Sequence, residues 1–352
     1  MSLASRLACA ATSLALLSPA APAVAQEPRL DTITVSSVDF YGLRTTPDSV
    51  ARRALAIVPG AAVPDSAARA AAIARLESLP GVRRARLAAV CCADRGGALL
   101  YVGVEETGAP TLTFARAPTG TVRLPPEVAA AGAAFDSAFA QAIEHRDFAE
   151  TDTAGHALMH WPAARAVQQR FVELAARYPS ELRDVLHHSA DSAQRAVAAQ
   201  VLGYAADKST VVPDLAAALR DPDETVRNDA TRALWLIALL AQRRSELGIH
   251  VPYGALVAML DSPIWTDRNK SSLALAQLTA SRDPKLLARL RERSLPSLIE
   301  MAHWTNLGHA VAALAILGRI AGMPEPEITA ALRRGDRTPI LRAAAAIAGR
   351  AP

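Results

Sequence analysis

Aromatic residues are scarce in this sequence of 352 residues, at 4%, although hydrophobic residues of all kinds make up 51%. Burial therefore depends on Ala, Leu and Val, whose small side chains let helices approach closely. This composition favours stacked helices over a β-sandwich anchored on aromatic rings. The formal charge of +4 is small for this length, so we expect no nucleic-acid partner.

Cysteine is nearly absent, with three residues in the whole sequence. Cys91 and Cys92 are adjacent, and no second pair is present to complete the four ligands of a zinc site. In an oxidising compartment the two thiols can form a vicinal disulfide or cross-link to a partner. The alternative is a pair of unmodified thiols at a strand end.

Motifs of catalysis and cofactor binding are missing too. The sequence has no G-x-S-x-G elbow, P-loop or dinucleotide fingerprint, so we expect a non-enzymatic protein without a cofactor. His156 and His160 are spaced i, i+4, and Asp152 stands one helical turn before them. Gly155 and Pro162 interrupt a long helix there, so we predict no metal site. A hydrolase or metal-dependent enzyme with a cryptic site is the alternative.

The N-terminus has the three parts of a signal peptide. Met1–Arg6 carries one positive charge, Leu7–Leu17 is apolar, and Ala23 and Ala25 form a small-x-small cleavage motif. The apolar run is shorter than the ~20 residues that span a bilayer, and no later run reaches ~18. We therefore predict cleavage after Ala25 and a periplasmic or otherwise exported chain without a transmembrane segment. A retained anchor and a cytosolic adaptor are the alternatives.

Alternating apolar residues and Pro-Gly pairs divide the next part of the chain into short elements. They predict a strand at 33–40, helices opening at Pro47 and Pro64, and strands at 82–90 and 98–104. The predicted order over residues 33–106 is therefore βααββ.

Four short motifs of this stretch resemble those of a POTRA domain. They are Phe40–Arg44 after the first strand, Pro59-Gly60 between the helices, Arg75-Leu76 before the second strand and Val104–Glu106 at the end. POTRA domains are the periplasmic modules of outer-membrane β-barrel insertases and two-partner secretion transporters. The sequence contains no second copy, so we do not expect an insertase.

The POTRA resemblance implies an exposed strand edge that can pair with an extended peptide. The candidate edge is Val82–Val90, where Arg83, Arg84 and Arg86 add positive charge. We expect these three residues to contact a partner protein of the envelope.

Gly and Pro are frequent in residues 107–134, which predicts a linker with a short strand at Thr111–Phe114. Helical periodicity then continues over 135–350. Four residues recur there at near-regular intervals as anchors of an internal repeat, namely Arg195, Arg227, Arg268 and His309.

The residues that follow each anchor share one pattern. A small residue stands three positions after it, and an apolar residue stands six and seven positions after it. These positions lie on one helical face, so a single helix pair cannot bury its own apolar side and must stack on others. The segment Leu219–Asp223 with Val226-Arg227 resembles the turn of HEAT repeats, in which the Asp and Arg orient successive repeats. The predicted fold is mainly α: a HEAT-like α-solenoid preceded by a small βααββ domain.

One turn of the repeat concentrates groups that favour binding. Trp265, Asp267, Arg268 and Asn269 follow one another there, and Trp304 occupies the equivalent turn of the next repeat. Exposed Trp and Arg are frequent binding anchors, which makes these five residues candidates for a partner site. In the alternative, both indole rings cover the core and Asp267 caps its helix.

These observations predict an exported scaffold of the bacterial envelope that binds proteins through a strand edge and a solenoid surface. The alternative from another class is a structural protein that oligomerises through Cys91 or Cys92.

Overall fold

A computed structural model of the protein describes residues 33–91, 96–147, 149–152 and 154–348. The first unit that it describes is a three-stranded sheet with two helices. Its elements are β1 (Val35–Tyr41), α1 (Asp48–Leu55), α2 (Ser66–Glu77), β2 (Val82–Cys91) and β3 (Ala98–Glu106). The predicted element order over 33–106 is therefore observed. The predicted signal peptide, Cys92 and the side chain of Cys91 lie outside the described residues.

Strand β3 is the centre of the sheet, parallel to β1 and antiparallel to β2. Helices α1 and α2 cover one face of the sheet, where Leu55 and Leu76 pack against Leu100 and Val102. The opposite face packs against the helical part of the chain. Every residue of β3 is buried because both of its faces are covered, and its near-continuous apolar sequence is typical of such a strand.

After β3, the part of the chain that the structure describes consists of helices, the segments that connect them and one hairpin with two residues in each strand. The remaining elements are α3 (Pro126–Glu144), β4 (Glu150–Thr151), β5 (Leu158–Met159), α4 (Pro162–Arg177), α5 (Pro179–His188), α6 (Ser192–Leu202), α7 (Val212–Ala218), α8 (Glu224–Arg243), α9 (Gly254–Met259), α10 (Trp265–Leu278), α11 (Pro284–Ala302), α12 (Leu307–Ile320), α13 (Glu325–Arg333) and α14 (Thr338–Ala348). Several helices begin where local chemistry favours it. Asp191 and Asp223 accept backbone N–H bonds at the starts of α6 and α8, and Pro is the first residue of α4, α5 and α11.

The four anchor residues lie on four helices that pack side by side. Helix α6 packs on α8, α8 on α10 and α10 on α12, and each of these also packs on the helix before it in the chain. The small residues three positions after the anchors are buried, namely Ala198, Ala230, Ser271 and Ala312. Their size lets neighbouring helices approach closely, as the repeat pattern predicts. The chain is therefore mainly helical with a small sheet at its start.

Buried arginines link each helix pair to the next. Arg195 donates two bonds of 2.8 Å to Asp221, and Arg227 donates bonds of 3.0 and 2.9 Å to Asp267. Arg227 and Asp267 both have 0% side-chain exposure. This two-bond geometry offsets the cost of removing the charges from water.

Three buried arginines, Arg195, Arg227 and Arg268, also donate a hydrogen bond to a backbone carbonyl of their own turn. The accepting residue stands six positions earlier in each case: Ser189, Asp221 and Ser262 for Arg195, Arg227 and Arg268. Each guanidinium thus binds a carbonyl of its own turn. It also binds a carboxylate that belongs to the next helix pair. We call this series the arginine ladder. It is absent at His309, which contacts the sheet instead.

Residues 107–125, which we name the strap, run back along the helix pairs. Ala115 N–H donates to Arg220 O at 2.6 Å, Gly120 N–H donates to His188 O at 2.9 Å, and Leu124 N–H donates to the Gln194 side chain at 2.8 Å. The prediction of a linker over 107–134 is corrected on two points, because the strap is bonded to successive helix turns and α3 already begins at Pro126. Among the described residues, no helix is both long and apolar enough to cross a membrane.

We predict that Asp267→Asn lowers the free energy of unfolding by about 3–5 kcal/mol, because it leaves the buried Arg227 guanidinium without a counter-charge. Asp184→Asn is the matched control, since Asp184 forms an exposed i, i+4 pair with His188. The control should cost less than about 1 kcal/mol. Urea denaturation of both variants measures the difference, and equal losses would contradict a structural role for the ladder.

Candidate functional site

The tryptophan-containing turns predicted to bind a partner lie against the sheet. Trp304 is 1% exposed, and its ring centroid is 5.0 Å from that of Tyr101 and 5.8 Å from that of Tyr41. The ring of Trp265 stacks on Tyr101 at 5.2 Å. Such aromatic pairs add stability beyond their buried area. We call the contact of these four rings, with the polar groups around it, the docking interface.

Hydrogen bonds between distant parts of the chain surround the four rings. The Tyr41 hydroxyl donates to Pro263 O at 2.9 Å, and Asp39 accepts from the backbone N–H of Thr305 at 3.1 Å and from its hydroxyl at 2.8 Å. The Tyr101 hydroxyl lies 2.7 Å from His309 Nδ1. Burial lowers the pKa of His309, which favours the neutral ring beside this hydroxyl. These bonds satisfy polar groups of Tyr41, Asp39 and Tyr101 where water is excluded, whereas the indole N–H groups of Trp265 and Trp304 are buried without an acceptor among the described residues.

Arg268 belongs to both the ladder and the docking interface. Its guanidinium donates to Glu300 at 2.9 Å and lies 4.6 Å from the centroid of the Tyr41 ring, a cation–π contact. Glu300 in turn accepts the Gly42 N–H at 3.0 Å. The sheet is therefore held by the same side chain that orders the turn beneath it.

Four of the five candidate residues of these turns contact other side chains of the protein, namely Trp265, Asp267, Arg268 and Trp304. Asp267, Arg268, Asn269 and Trp304 are buried, and Trp265 is half-buried. Asp267 does not cap its helix, because the N-cap is Ile264 and the carboxylate accepts from Arg227 and Ser262. The prediction of an exposed partner site at this turn is therefore corrected, since the sheet occupies it.

The sheet approaches the turn at a glycine. A Cβ placed on Gly103 would lie 1.9 Å from Pro263 O, which is far inside van der Waals contact. Strand β3 therefore reaches the helices only because this position has no side chain.

The outer edge of strand β2 is largely uncovered, in contrast to that of β1. The start of β1 is bonded on its outer side to the segment after α1, through Val35 N–H to Ala61 O and Gly60 N–H to Val35 O. On β2 the Ala85 N–H donates outward to the Glu77 side chain at 2.8 Å. Amides of alternate residues point the same way, so those of Leu87 and Ala89 also point outward.

The three arginines predicted at this edge differ in their contacts. Glu105 of the neighbouring strand lies 3.3 Å from Arg83 and 4.0 Å from Arg84. Arg86 is exposed and donates to the carbonyl of Ala85. The single carboxylate of Glu105 thus balances one of the three positive charges within the sheet.

A small polar cavity lies between the β4–β5 region and helices α4, α6 and α8. It measures about 30 Å³, enough for one or two water molecules, and its lining includes His156, Tyr204 and Asp229. Lys208, 2% exposed, donates to His156 Nδ1 at 3.2 Å and to Gly203 O at 2.7 Å. His156, His160 and Asp152 do not share a helix, since they lie in and around the β4–β5 hairpin.

Burial perturbs the titration of the groups around this cavity. Desolvation lowers the pKa of Lys208 to about 8, and desolvation together with the Lys208 charge lowers the pKa of His156 to about 4. Desolvation raises the pKa of Asp229 to about 7. Asp152 instead binds Arg243 at 3.0 Å. Over the part of the chain that the structure describes, no three His, Cys, Asp or Glu side chains cluster as metal ligands.

No family model, curated protein or solved structure matches this chain.

We predict that Gly103→Ala separates the sheet from the helices, because its methyl group would overlap the Pro263 carbonyl. Exposure of Trp265 and Trp304 to water should move the tryptophan emission to longer wavelength. Gly254→Ala is the control, since its added Cβ would meet no atom within 4 Å. Unchanged emission from Gly103→Ala would contradict the docking interface.

We predict that acid destabilises the protein partly through His156. Its pKa is lower in the folded chain than in the unfolded chain, so the unfolded state binds more protons between about pH 6.5 and 4. Stability is therefore lost as the pH falls through this window. Between pH 6.5 and 5, wild type should lose about 1 kcal/mol more than His156→Asn, after discounting for solvent screening. Equal losses in urea denaturation would show that His156 does not titrate in this way.

Proposed function

We propose that the protein is an exported, non-enzymatic scaffold of the bacterial envelope, with a POTRA-like domain at residues 33–106 and HEAT-like helix pairs after it. Three observations support the proposal. The N-terminal sequence has the parts of a signal peptide, the first unit has the order βααββ, and the anchor residues repeat along stacked helices.

The open edge of β2 is the observation that carries the partner-binding role. One face of the sheet is covered by α1 and α2, the other by the docking interface, and the start of β1 by its own connection. The side that remains for a partner is the outer side of β2. An extended peptide can add there as a fourth strand, with backbone bonds giving affinity.

The docking interface gives this edge a fixed direction relative to the helix pairs. A binding edge that is already ordered loses less entropy on association than one on a mobile domain. Stacked helix pairs also offer a long surface for a second protein. The proposed scaffold therefore holds two partners at a set distance, one on β2 and one on the helices.

We predict that Ala89→Pro removes binding of the strand-edge partner. Proline deletes an outward N–H at an exposed position of an edge strand, without breaking a bond to β3. Ala89→Val is the control, because it keeps the N–H. Tagged mature protein is used to capture proteins from an envelope extract, which are quantified by mass spectrometry.

The expected result is at least a roughly tenfold loss of one captured protein for Ala89→Pro and no loss for Ala89→Val. Circular dichroism of all three forms checks that the fold is kept. An identical captured set from the three proteins would contradict the proposed role of the β2 edge.

A further inference from the structure

Residues Thr111–Phe114 of the strap have the side-chain alternation of a strand but belong to no sheet. Thr111 and Thr113 are exposed, whereas Leu112 and Phe114 are half-buried and turned toward the helices. Exposure with a period of two is the pattern of an extended chain lying on a surface. The Arg227 guanidinium, 4.5 Å from the Phe114 ring centroid, fixes the inner side.

The backbone of this segment has no hydrogen-bond partner among the described residues. The nearest backbone bonds on either side are Ala109 N–H to Glu106 O and Ala115 N–H to Arg220 O. A row of solvated N–H and C=O groups in an extended chain is a template for another strand. The segment is held at both ends and is therefore ordered before any ligand arrives.

A cavity lies directly beside this segment. Its volume is about 390 Å³, within the range of ligand sites, and its walls are the residues from Thr111 to Thr113, helix α9, Arg220 and Arg293. The wall from α9 consists of Gly254, Ala255 and Ala258, whose small side chains keep the space open.

The charge of the cavity has one sign. Arg220 and Arg293 come from different elements, no carboxylate lines the cavity, and neither arginine forms an ion pair with a described residue. This contrasts with the ladder, where Arg195 and Arg227 each bind an aspartate. Guanidinium groups bind carboxylates through paired, charge-assisted hydrogen bonds.

We propose that an extended acidic segment of a partner protein binds in this cavity. Its backbone pairs with Thr111–Phe114, and its carboxylates contact Arg220 and Arg293. The inference rests on the proposed scaffold function for the nature of the ligand, a protein segment, but the site is separate from the β2 edge.

The probe is a short fluorescent peptide of alternating Glu and Val with both ends blocked, and the measurement is fluorescence polarisation with the mature protein. Arg220→Gln and Arg293→Gln should each weaken binding about tenfold, because each removes a charged hydrogen-bond partner. Arg291→Gln is the control, an exposed arginine on the same helix that does not line the cavity. It should leave the affinity unchanged. Equal binding by all four proteins overturns the proposal.

Strand pairing is tested with two further peptides that carry N-methyl groups on alternate residues, in opposite phases. Only one edge of an added strand pairs with Thr111–Phe114, so one phase should lose binding and the other should keep it. Equal loss in both phases, or displacement of every peptide by inorganic phosphate alone, overturns strand addition. Ala89→Pro should not alter peptide affinity, so this inference and the β2-edge proposal can fail separately.

Discussion

The two-bond pair between Arg227 and Asp267 is the interaction on which the rest of the structure depends. It joins α8 to α10 without exposure to water, and the second oxygen of Asp267 also accepts a bond from Ser262. Ser262 in turn accepts the backbone N–H of Ile264, which fixes the turn that contains Pro263. The carbonyl of Pro263 receives the hydroxyl of Tyr41 from the sheet. The attraction within a buried ion pair exceeds the free-energy cost of removing its charges from water only when the geometry of the pair is good. The order of the turn and the docking of the sheet are therefore linked.

Docking at α10 to α12 determines the path of the chain. The sheet is the first unit that the structure describes, yet it contacts helices far along the chain, so the strap has to return along the intervening turns before α3 begins. Tyr41, Leu99 and Tyr101 of the sheet consequently belong to the same apolar core as α6, α8 and α10. The edge of β2 and the segment Thr111–Phe114 are then held on one ordered body, which is the property that a scaffold needs.

Local periodicity is sufficient to predict most of the elements, because strands and helices repeat with periods that are visible within a few residues. The order βααββ could be predicted for this reason. So could the stacking of the helices that carry Arg195, Arg227 and Arg268. The docking interface could not, because Tyr41 and Pro263 are 222 positions apart and Asp39 and Thr305 are 266 apart.

The sequence carries one indication of the docked face. Ala98–Val104 does not alternate, which is typical of a strand buried on both sides. The strap was predicted as a linker because Gly and Pro are frequent in flexible segments, although here its amides bind helix turns. Lys208 and Asp229 escaped prediction because a single charged residue has no period, and only the fold determines that it is buried.

Native-state hydrogen exchange on the full chain tests most directly whether sheet and helices form one unit. With rising denaturant, the amides of β3 and those of α10 should converge on the same opening free energy, because the docking interface makes them unfold together. Opening of β3 at a clearly lower free energy, with the exchange of α10 unchanged, would show that the sheet is an independent domain and would contradict the account.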